Sequence, residues 1–296
     1  MQRLAKAISN SGICSRRQAE KLILAGEVKL DGEIIISPAI NVSDQNIIEV
    51  SGKIININQN PRLWVYYKPL GLITTHKDTH GRETVFDNLP NLPRVISIGR
   101  LDLNSEGLLL LTNNGDLARK FELPSSKLER VYKVRAYGDH RNIISYCERQ
   151  PVIASLVKQS QEATTNAAQD CHILPKDPSD NDRVYNLKRL GVRSDEIATL
   201  SSGKLAMTGL SYDYGIIIDK ISYNPKSIKL VKAGTTNSWF EVVLTEGKNR
   251  EIRKIFEYFG LKVNRLIRLQ YGSFLLGSLK PGEYKEQNFH TFKDLC

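Results

Sequence analysis

Apolar residues at helical spacing predict two short helices at the start of the chain. Leu4 and Ile8 lie one turn apart, and polar residues after them end the first helix. Ser15 is an N-cap residue that begins a second helix, whose buried stripe includes Ala19 and Ile23. The second helix is therefore amphipathic, with one apolar and one polar side.

A hairpin and a polar linker follow the helices. The Asp31-Gly32 pair supplies the positive φ angles of a tight turn between two short strands in 28–34. The segment 51–61 is rich in Asn, Gln and Ser, which is typical of a linker. These patterns predict a small helix–helix–hairpin domain at residues 1–60 and a second domain at 61–296.

Longer apolar runs predict that the second domain is built on a sheet. A continuous apolar strand is expected at 107–112 and a half-buried, alternating strand at 131–137. A helix is expected from Asn249, because apolar residues follow it at the helical spacing. Further strands are predicted at 63–67, 95–98, 216–221, 228–231 and 239–244. Long strands with few helices indicate an α+β fold with a mixed, mainly antiparallel sheet and flanking helices.

Composition and length narrow the class of protein. A chain of 296 residues, 41% of them hydrophobic and 25% charged, suits a globular protein of two domains. No apolar run approaches the roughly 20 residues of a membrane helix, and the N-terminus has no apolar core of an export signal. Four cysteines are scattered without the spacing of metal ligands. We therefore expect a cytoplasmic protein with no membrane contact and no metal.

The net charge of +10 is concentrated in two regions. Residues 1–21 contain five basic residues and one acidic residue, and residues 226–271 contain ten basic and four acidic residues. The exposed side of the second helix carries Arg16, Arg17 and Lys21. This pattern is consistent either with binding to a polyanion such as RNA or with an ordinary solvated surface.

The segment 147–211 differs from both regions. It has eight basic and eight acidic residues and a single aromatic residue, Tyr185. This composition does not suit a core, so we expect a surface excursion with a short helix near 152–159.

Asp102 is the ionisable residue whose position draws attention. It lies in a short loop between two strongly apolar strands and is flanked by Gly99 and Gly107. A carboxylate there would be partly desolvated and would need a cation to remain ionised. The alternative is an aspartate that only forms or caps a turn.

The first domain resembles the small RNA-binding domain that is named after a small-subunit ribosomal protein. The matching residues are Arg3-Leu4, Ser15-Arg16-Arg17-Gln18-Ala19-Glu20, Gly26-Glu27-Val28 and Asp31-Gly32. In that family the second helix and the following loop lie on the RNA backbone. The resemblance therefore implies RNA contacts from Arg3, Arg16, Arg17 and Lys21.

The second domain carries four motifs in the order found in one enzyme family. They are Tyr67-Lys68-Pro69-Leu70-Gly71, Gly99-Arg100-Leu101-Asp102 with Ser105 to Asn113, Leu244 to Lys254, and Arg265-Leu266-Ile267-Arg268-Leu269. Together they resemble the RNA pseudouridine synthases of the RsuA/RluB type. Ser105 is a departure, because the family more often has threonine there. The family joins 131–137 to 216–221 by a shorter connection, so the resemblance makes 147–211 an insertion.

The resemblance implies a role for individual residues. Asp102 matches the nucleophile, Tyr132 the tyrosine that stacks on the target base, Arg253 the arginine that pairs with the aspartate, and Leu266 an apolar residue of the pocket. The implied reaction converts uridine to pseudouridine with no cofactor. Further RNA contacts are expected from Arg100, Lys248 and Arg250.

The partner implied by the resemblance is ribosomal RNA, and we expect the enzyme to be a monomer. The sequence of residues 248–251 is closer to that of the family members that modify large-subunit rRNA than to that of the small-subunit member. His76 and His80 lack a third metal ligand, so we expect their loop to contact RNA instead. The alternative function is a non-catalytic RNA-binding or ribosome-assembly protein with the same fold.

Overall fold

The computed structural model describes residues 1–57, 59–89, 92–148 and 215–288. Those outside 145–216 belong to one compact unit. The expected excursion at 147–211 lies outside the described residues except for its first two positions, and the helix expected near 152–159 lies outside them entirely.

The N-terminal domain contains the two predicted helices, α1 (Leu4–Asn10) and α2 (Arg16–Leu24). The Ser15 side chain caps α2 by accepting a hydrogen bond from the Gln18 backbone N–H at 3.2 Å, as predicted. Both helices place apolar residues in one core with the strands behind them. The strands are β1 (Gln2–Arg3), β2 (Val28–Leu30), β3 (Glu33–Ile34), β4 (Asn41–Val42), β5 (Ile48–Val50) and β6 (Lys53–Ile54).

The predicted hairpin is present as β2 and β3, and Asp31 adopts a φ of 51° at its turn. It forms part of a four-stranded sheet in the order β3-β2-β5-β6. Strand β6 begins at Lys53, so the start of the predicted linker 51–61 is wrong. The polar composition of this segment did not indicate a strand, because β6 is an edge strand that is exposed at both residues. Polar residues are common at such exposed edges.

Within the described residues, the large sheet of the second domain has nine strands, in the order β13-β14-β10-β15-β9-β7-β17, with β16 paired to β15 and β8 to β9. Only β15 and β9 run parallel among these described pairs, so the sheet is mixed and mainly antiparallel, as predicted. Its strands are β7 (Leu63–Lys68), β8 (Ile96–Ile98), β9 (Glu106–Thr112), β10 (Arg130–Tyr137), β13 (Ser227–Lys232), β14 (Asn237–Leu244), β15 (Lys262–Tyr271), β16 (Phe274–Leu275) and β17 (Tyr284–Glu286).

Helices α3 (Gly115–Glu122) and α4 (Glu251–Tyr258) flank this sheet. Phe121 of α3 packs with residues of β7, β9 and β15 in one apolar core. Phe256 of α4 packs edge-on against Phe240 of β14, with ring centres 5.0 Å apart. Residues 141–148 are also helical. No helix in the described part of the chain is long and apolar enough to cross a membrane.

Two sequence predictions in this domain need correction. The single strand expected at 216–221 is a two-stranded hairpin, β11 (Ile216–Ile218) and β12 (Ile221–Tyr223). Asp219 and Lys220 turn the chain there with positive φ angles. The run of isoleucines around them did not indicate this turn. Helix α4 begins at Glu251, two residues after Asn249, because Arg250 takes a left-handed conformation.

Candidate active site

Asp102 lies on the loop between β8 and β9, at the wall of a cleft of about 1070 Å³. Its side chain is exposed, so the expectation of a partly desolvated carboxylate is wrong. β9 is buried at every residue and β8 at Ile98, whereas residues 102–104 of the loop between them are exposed. A carboxylate on this loop is therefore accessible to a ligand in the cleft.

Hydrogen bonds hold the Asp102 loop in place. The Ser105 N–H donates to the Asp102 carbonyl at 3.0 Å. The Gly71 N–H donates to the Leu103 carbonyl at 3.0 Å, and the Thr74 hydroxyl donates to the Leu101 carbonyl at 2.9 Å. The motif 67–71 thus supports the loop that carries Asp102.

Gly107 explains why a glycine follows this loop. It has a φ of 101°, and a Cβ at this position would lie 2.4 Å from the backbone oxygen of Arg268. This is the point where β9 and β15 pair in parallel. Any side chain would push β15 away from the Asp102 loop.

Arg253 of α4 connects this helix to the Asp102 loop. Its guanidinium donates to the Asn104 carbonyl at 2.7 Å and to the Val263 carbonyl at 3.0 Å. Among the described residues it forms no ion pair with Asp102 within 4.0 Å. Burial lowers the pKa of Arg253, the charge of Arg250 lowers it further, and the negative charge of Asp102 raises it. Arg253 is close enough to feel the carboxylate but is bonded to the loop's backbone.

Lys68 is a buried cation that sequence reasoning missed. Its ammonium group donates to the carbonyls of Ser105 at 2.8 Å and Pro69 at 2.9 Å. Burial lowers the pKa of Lys68 to about 8, and the charges of Asp102 and Glu106 oppose that shift. The sequence places Lys68 in the motif 67–71 at the end of an otherwise apolar strand, but it gives no sign that the ammonium group is buried.

Tyr132 and Leu266 are neighbours on the cleft side of the sheet. Tyr132 of β10 lies opposite Arg268 of β15, and Leu266 lies opposite Val134. Both predicted residues are buried and line the cleft, so the structure brings them to the same wall as Asp102 and Arg253. Tyr132 offers an aromatic surface and Leu266 an apolar one.

Two further arginines that sequence reasoning missed surround Tyr271 at the cleft. The Arg130 and Arg268 guanidinium carbons lie 4.6 and 5.1 Å from the centre of the Tyr271 ring. Arg130 also donates to the Tyr271 hydroxyl at 2.9 Å. One guanidinium nitrogen of Arg268, Nη2, is buried with no hydrogen-bond partner among the described residues. Arg268 therefore carries an unpaired, buried donor beside the cleft.

The predicted RNA-contacting residues fall into two groups. Arg100 and Arg250 are exposed and line the cleft. Lys248 also lines it, but its ammonium group is held by the Ser222 carbonyl and the Glu246 carboxylate, each at 2.6 Å. The other four are exposed in the N-terminal domain and do not line the cleft, namely Arg3, Arg16, Arg17 and Lys21.

The loop with the two histidines is tied to itself at the cleft mouth. Asp78 accepts hydrogen bonds from Arg82 and from the His80 backbone N–H. His76 stacks on Phe86 with ring centres 3.6 Å apart. Within the described ranges, no group of three potential metal ligands occurs.

Glu251 makes stability depend on pH. Burial raises the pKa of its carboxyl to about 7, while the hydrogen bond from the Lys248 backbone lowers it and nearby Glu246 raises it. Between its ordinary pKa and 7 the folded protein retains a proton that the unfolded chain releases, so stability falls as pH rises through this window. We expect Glu251→Gln to melt like the wild type near pH 4.5 and to be about 1–3 kcal/mol more stable at pH 8.

Thermal melting at both pH values measures this difference. Glu257→Gln on the exposed side of α4 is the matched control, and it should follow the wild type at each pH. If Glu251→Gln were no more stable than the wild type at pH 8, burying the charged carboxylate would cost the folded protein little free energy.

Comparison with known proteins agrees with these motifs. The sequence profile of the RNA pseudouridylate synthase family matches residues 62–258, and that of the S4 domain matches residues 2–48. A Rickettsia felis protein, named an uncharacterized RNA pseudouridine synthase, is 56% identical over 289 residues, which cover 97% of each chain. The ribosomal large subunit pseudouridine synthase B of Salmonella typhi is 32% identical over 296 residues, covering 97% of this chain and 80% of that one.

A solved structure shares the fold. The crystal structure of a pseudouridylate synthase matches 100% of both chains with a TM-score of 0.53 and 21% sequence identity. Fold, motif order and relatives point the same way. The chain therefore belongs to the RNA pseudouridine synthases of the RsuA/RluB type and is an RNA-modifying enzyme with an N-terminal S4 domain.

Proposed function

We propose that this enzyme isomerises specific uridines of ribosomal RNA, in the large subunit, with Asp102 as its nucleophile. The observation that carries the proposal is the exposed carboxylate of Asp102 on a loop fixed by backbone hydrogen bonds, at the wall of a cleft lined by arginines. Its position lets it reach a ligand, and its neighbours are suited to a polyanion.

The reaction needs no change in oxidation state. The bond between the ribose C1′ and the uracil N1 breaks, and a bond between C1′ and C5 forms. The C5 proton is released to solvent, and N1 takes up a proton. Because atoms and electrons balance within the nucleotide, we propose that no metal or nucleotide cofactor takes part.

Tyr132 and Leu266 supply the surface for the target base in this proposal. A uracil can react only after it has left the helical stack, and an aromatic face compensates for the lost stacking. Arg253 holds the nucleophile's loop through the Asn104 carbonyl and contributes positive charge beside it. We treat Arg253 as a positioning residue because its hydrogen bonds go to the backbone.

Three observations support ribosomal RNA as the substrate. The S4 domain and its exposed basic residues suit RNA in general. The Salmonella typhi relative is named for the large ribosomal subunit. The residues at 248–251 resemble the members that act there. Such an enzyme would work in the cytoplasm during ribosome assembly, and we propose that it acts there as a monomer.

A direct assay tests the activity. Purified protein is incubated with large-subunit rRNA from cells that lack the gene, in buffer with a metal chelator and no added cofactor. Pseudouridine is then mapped by chemical modification and reverse transcription. We expect a new signal at a defined uridine, whereas an unmodified product would contradict the proposed substrate. Small-subunit rRNA is the matched control.

The exposed arginines of α2 give a prediction about affinity. Arg16→Gln/Arg17→Gln should weaken binding to rRNA and reduce the salt dependence of the binding constant by up to about one unit per lost phosphate contact. Turnover at saturating RNA should change less, because both residues lie outside the cleft.

Binding titrations at several salt concentrations measure this slope. The control is Lys280→Gln/Lys285→Gln, which removes the same charge from exposed positions near the opposite end of the chain. An Arg16/Arg17 variant with the slope of the control would show that α2 is only a solvated surface.

A further inference from the structure

Half of one face of the large sheet is exposed and carries a cluster of cations. Along β10 and β14 outward residues alternate with buried ones, and β13 is the exposed edge strand. We call this surface the basic face, and its residues are Lys133, Arg135, Lys229, Lys232 and Trp239.

Strand register places the first pair of lysines around one carboxylate. Lys229 of β13 and Lys133 of β10 both lie opposite Glu241 of the central strand β14. Residues directly opposite each other in an antiparallel pair point to the same side of the sheet. Two exposed cations therefore flank one half-buried carboxylate.

The second row contains an aromatic residue instead of a carboxylate. Lys232 and Arg135 both lie opposite Trp239. The Lys133 ammonium lies 4.8 Å from the centre of the Trp239 ring. On the next strand Arg265 lies opposite Arg135, but its charge is paired with Glu106, so among the described residues of these rows the unpaired cations are those of β10 and β13. The face therefore combines a cationic surface with a half-buried indole.

The basic face points away from the cleft. Phe240 lies between Trp239 and Glu241 on β14 and points to the other side, where it packs against Phe256 of α4. Ile267, which lies opposite Lys133, already belongs to the core beneath α3. Helix α3 thus covers the adjoining half of this face and leaves β10, β13 and β14 exposed.

The residue types favour a nucleic acid over a protein partner. The centre of a protein–protein interface is depleted in charged residues, whereas this face has four cations at its centre. An ordinary solvated surface mixes charges of both signs, but Glu241 is the only carboxylate that β10, β13 and β14 contribute to these two rows. Phosphate groups match the cations, and a base can stack on an aromatic ring.

We propose that the basic face is a second RNA-binding surface, which holds the sugar–phosphate backbone of a substrate segment outside the cleft. This proposal extends the RNA-modifying activity and does not depend on which uridine reacts. The chain would then contact RNA on both sides of the sheet. A long RNA that passes around the edge strand β13 could use both surfaces, whereas a short stem–loop in the cleft would use one.

The test compares two charge-matched variants. Lys229→Gln/Lys232→Gln removes two cations of the basic face, and Lys280→Gln/Lys285→Gln removes two exposed lysines elsewhere. The probe is full-length large-subunit rRNA, and binding is measured over a range of salt concentrations without turnover. We expect the first variant to bind about threefold to tenfold more weakly, with a salt slope reduced by about one unit, and the control to match the wild type.

Ultraviolet cross-linking provides an independent readout. The wild type is irradiated with the same rRNA, and cross-linked peptides are identified by mass spectrometry. We expect a nucleotide adduct on the strand that contains Trp239. Equal affinities and slopes for both variants, or an equal loss in both, would overturn the proposal. Phosphate contacts are insensitive to base sequence, so the binding result remains interpretable if rRNA proves not to be the modified substrate.

Discussion

Asp102→Asn is expected to abolish pseudouridine formation while leaving RNA binding intact. The amide has the shape of the carboxylate but cannot act as a nucleophile, so we expect a rate loss of at least about 10³-fold. The Asp102 side chain is exposed, so the free energy of unfolding should change by less than about 0.5 kcal/mol. Single-turnover assays on rRNA and binding titrations with the same RNA separate the two effects.

Asp44→Asn is the matched control because it also changes an exposed aspartate, one that does not line the cleft. It should retain wild-type rates. Full activity of Asp102→Asn would exclude Asp102 as the nucleophile. Wild-type protein that binds rRNA but forms no product would instead favour the alternative of a non-catalytic ribosome-assembly protein.

Arg253→Ala is expected to reduce the rate by about 10²–10³-fold, with a smaller effect on folding. The substitution leaves the carbonyls of Asn104 and Val263 without their donor and removes a cation near Asp102. We expect the free energy of unfolding to fall by about 1–3 kcal/mol, mainly because two hydrogen bonds from a charged donor are lost. The Asp102 loop would then lose its link to α4.

Arg253→Lys should recover stability better than activity, since an ammonium group can reach one carbonyl but cannot span two in the planar geometry of a guanidinium. Lys254→Met on the same helix is the control, because its ammonium group bonds to the Tyr223 hydroxyl and does not line the cleft. Rates of Arg253→Ala near those of the wild type, measured in single-turnover assays, would place this arginine outside the reaction.

The strands around Asp102 could be predicted because the pattern that indicates each of them lies within a few consecutive residues. β9 is buried at every residue, and an unbroken apolar run of that length between turn residues is typical of a strand covered on both faces. Helix α4 was predictable for a similar reason, since its apolar residues repeat at helical spacing. The N-terminal helices and hairpin follow from caps and a turn pair.

Strand β15 escaped prediction although it lies at the centre of the sheet. Its sequence places Lys262, Arg265 and Arg268 at regular intervals, which hides the apolar pattern of a buried strand. These charges are accommodated by partners far away in the sequence. Arg265 pairs with Glu106 at 2.6 Å, and Arg268 donates to the Leu108 carbonyl at 2.7 Å.

Contacts between residues that are distant in sequence also limited the prediction of the site. The resemblance to the family predicted Asp102, Tyr132, Arg253 and Leu266 as site residues, and the structure brings all four to one cleft. Their contacts were not accessible from sequence, because Arg253 bonds to a loop about half the chain away. Whether a cation bonds to the carboxylate or to the backbone beside it depends on tertiary geometry.

Mapping pseudouridine in rRNA from cells with and without this gene tests the central claim most directly. We expect a defined position in large-subunit rRNA to lose its pseudouridine in the deletion strain. The wild-type gene should restore it, and the Asp102→Asn gene should not. Identical pseudouridine maps of large-subunit rRNA in the two strains would contradict the proposed function.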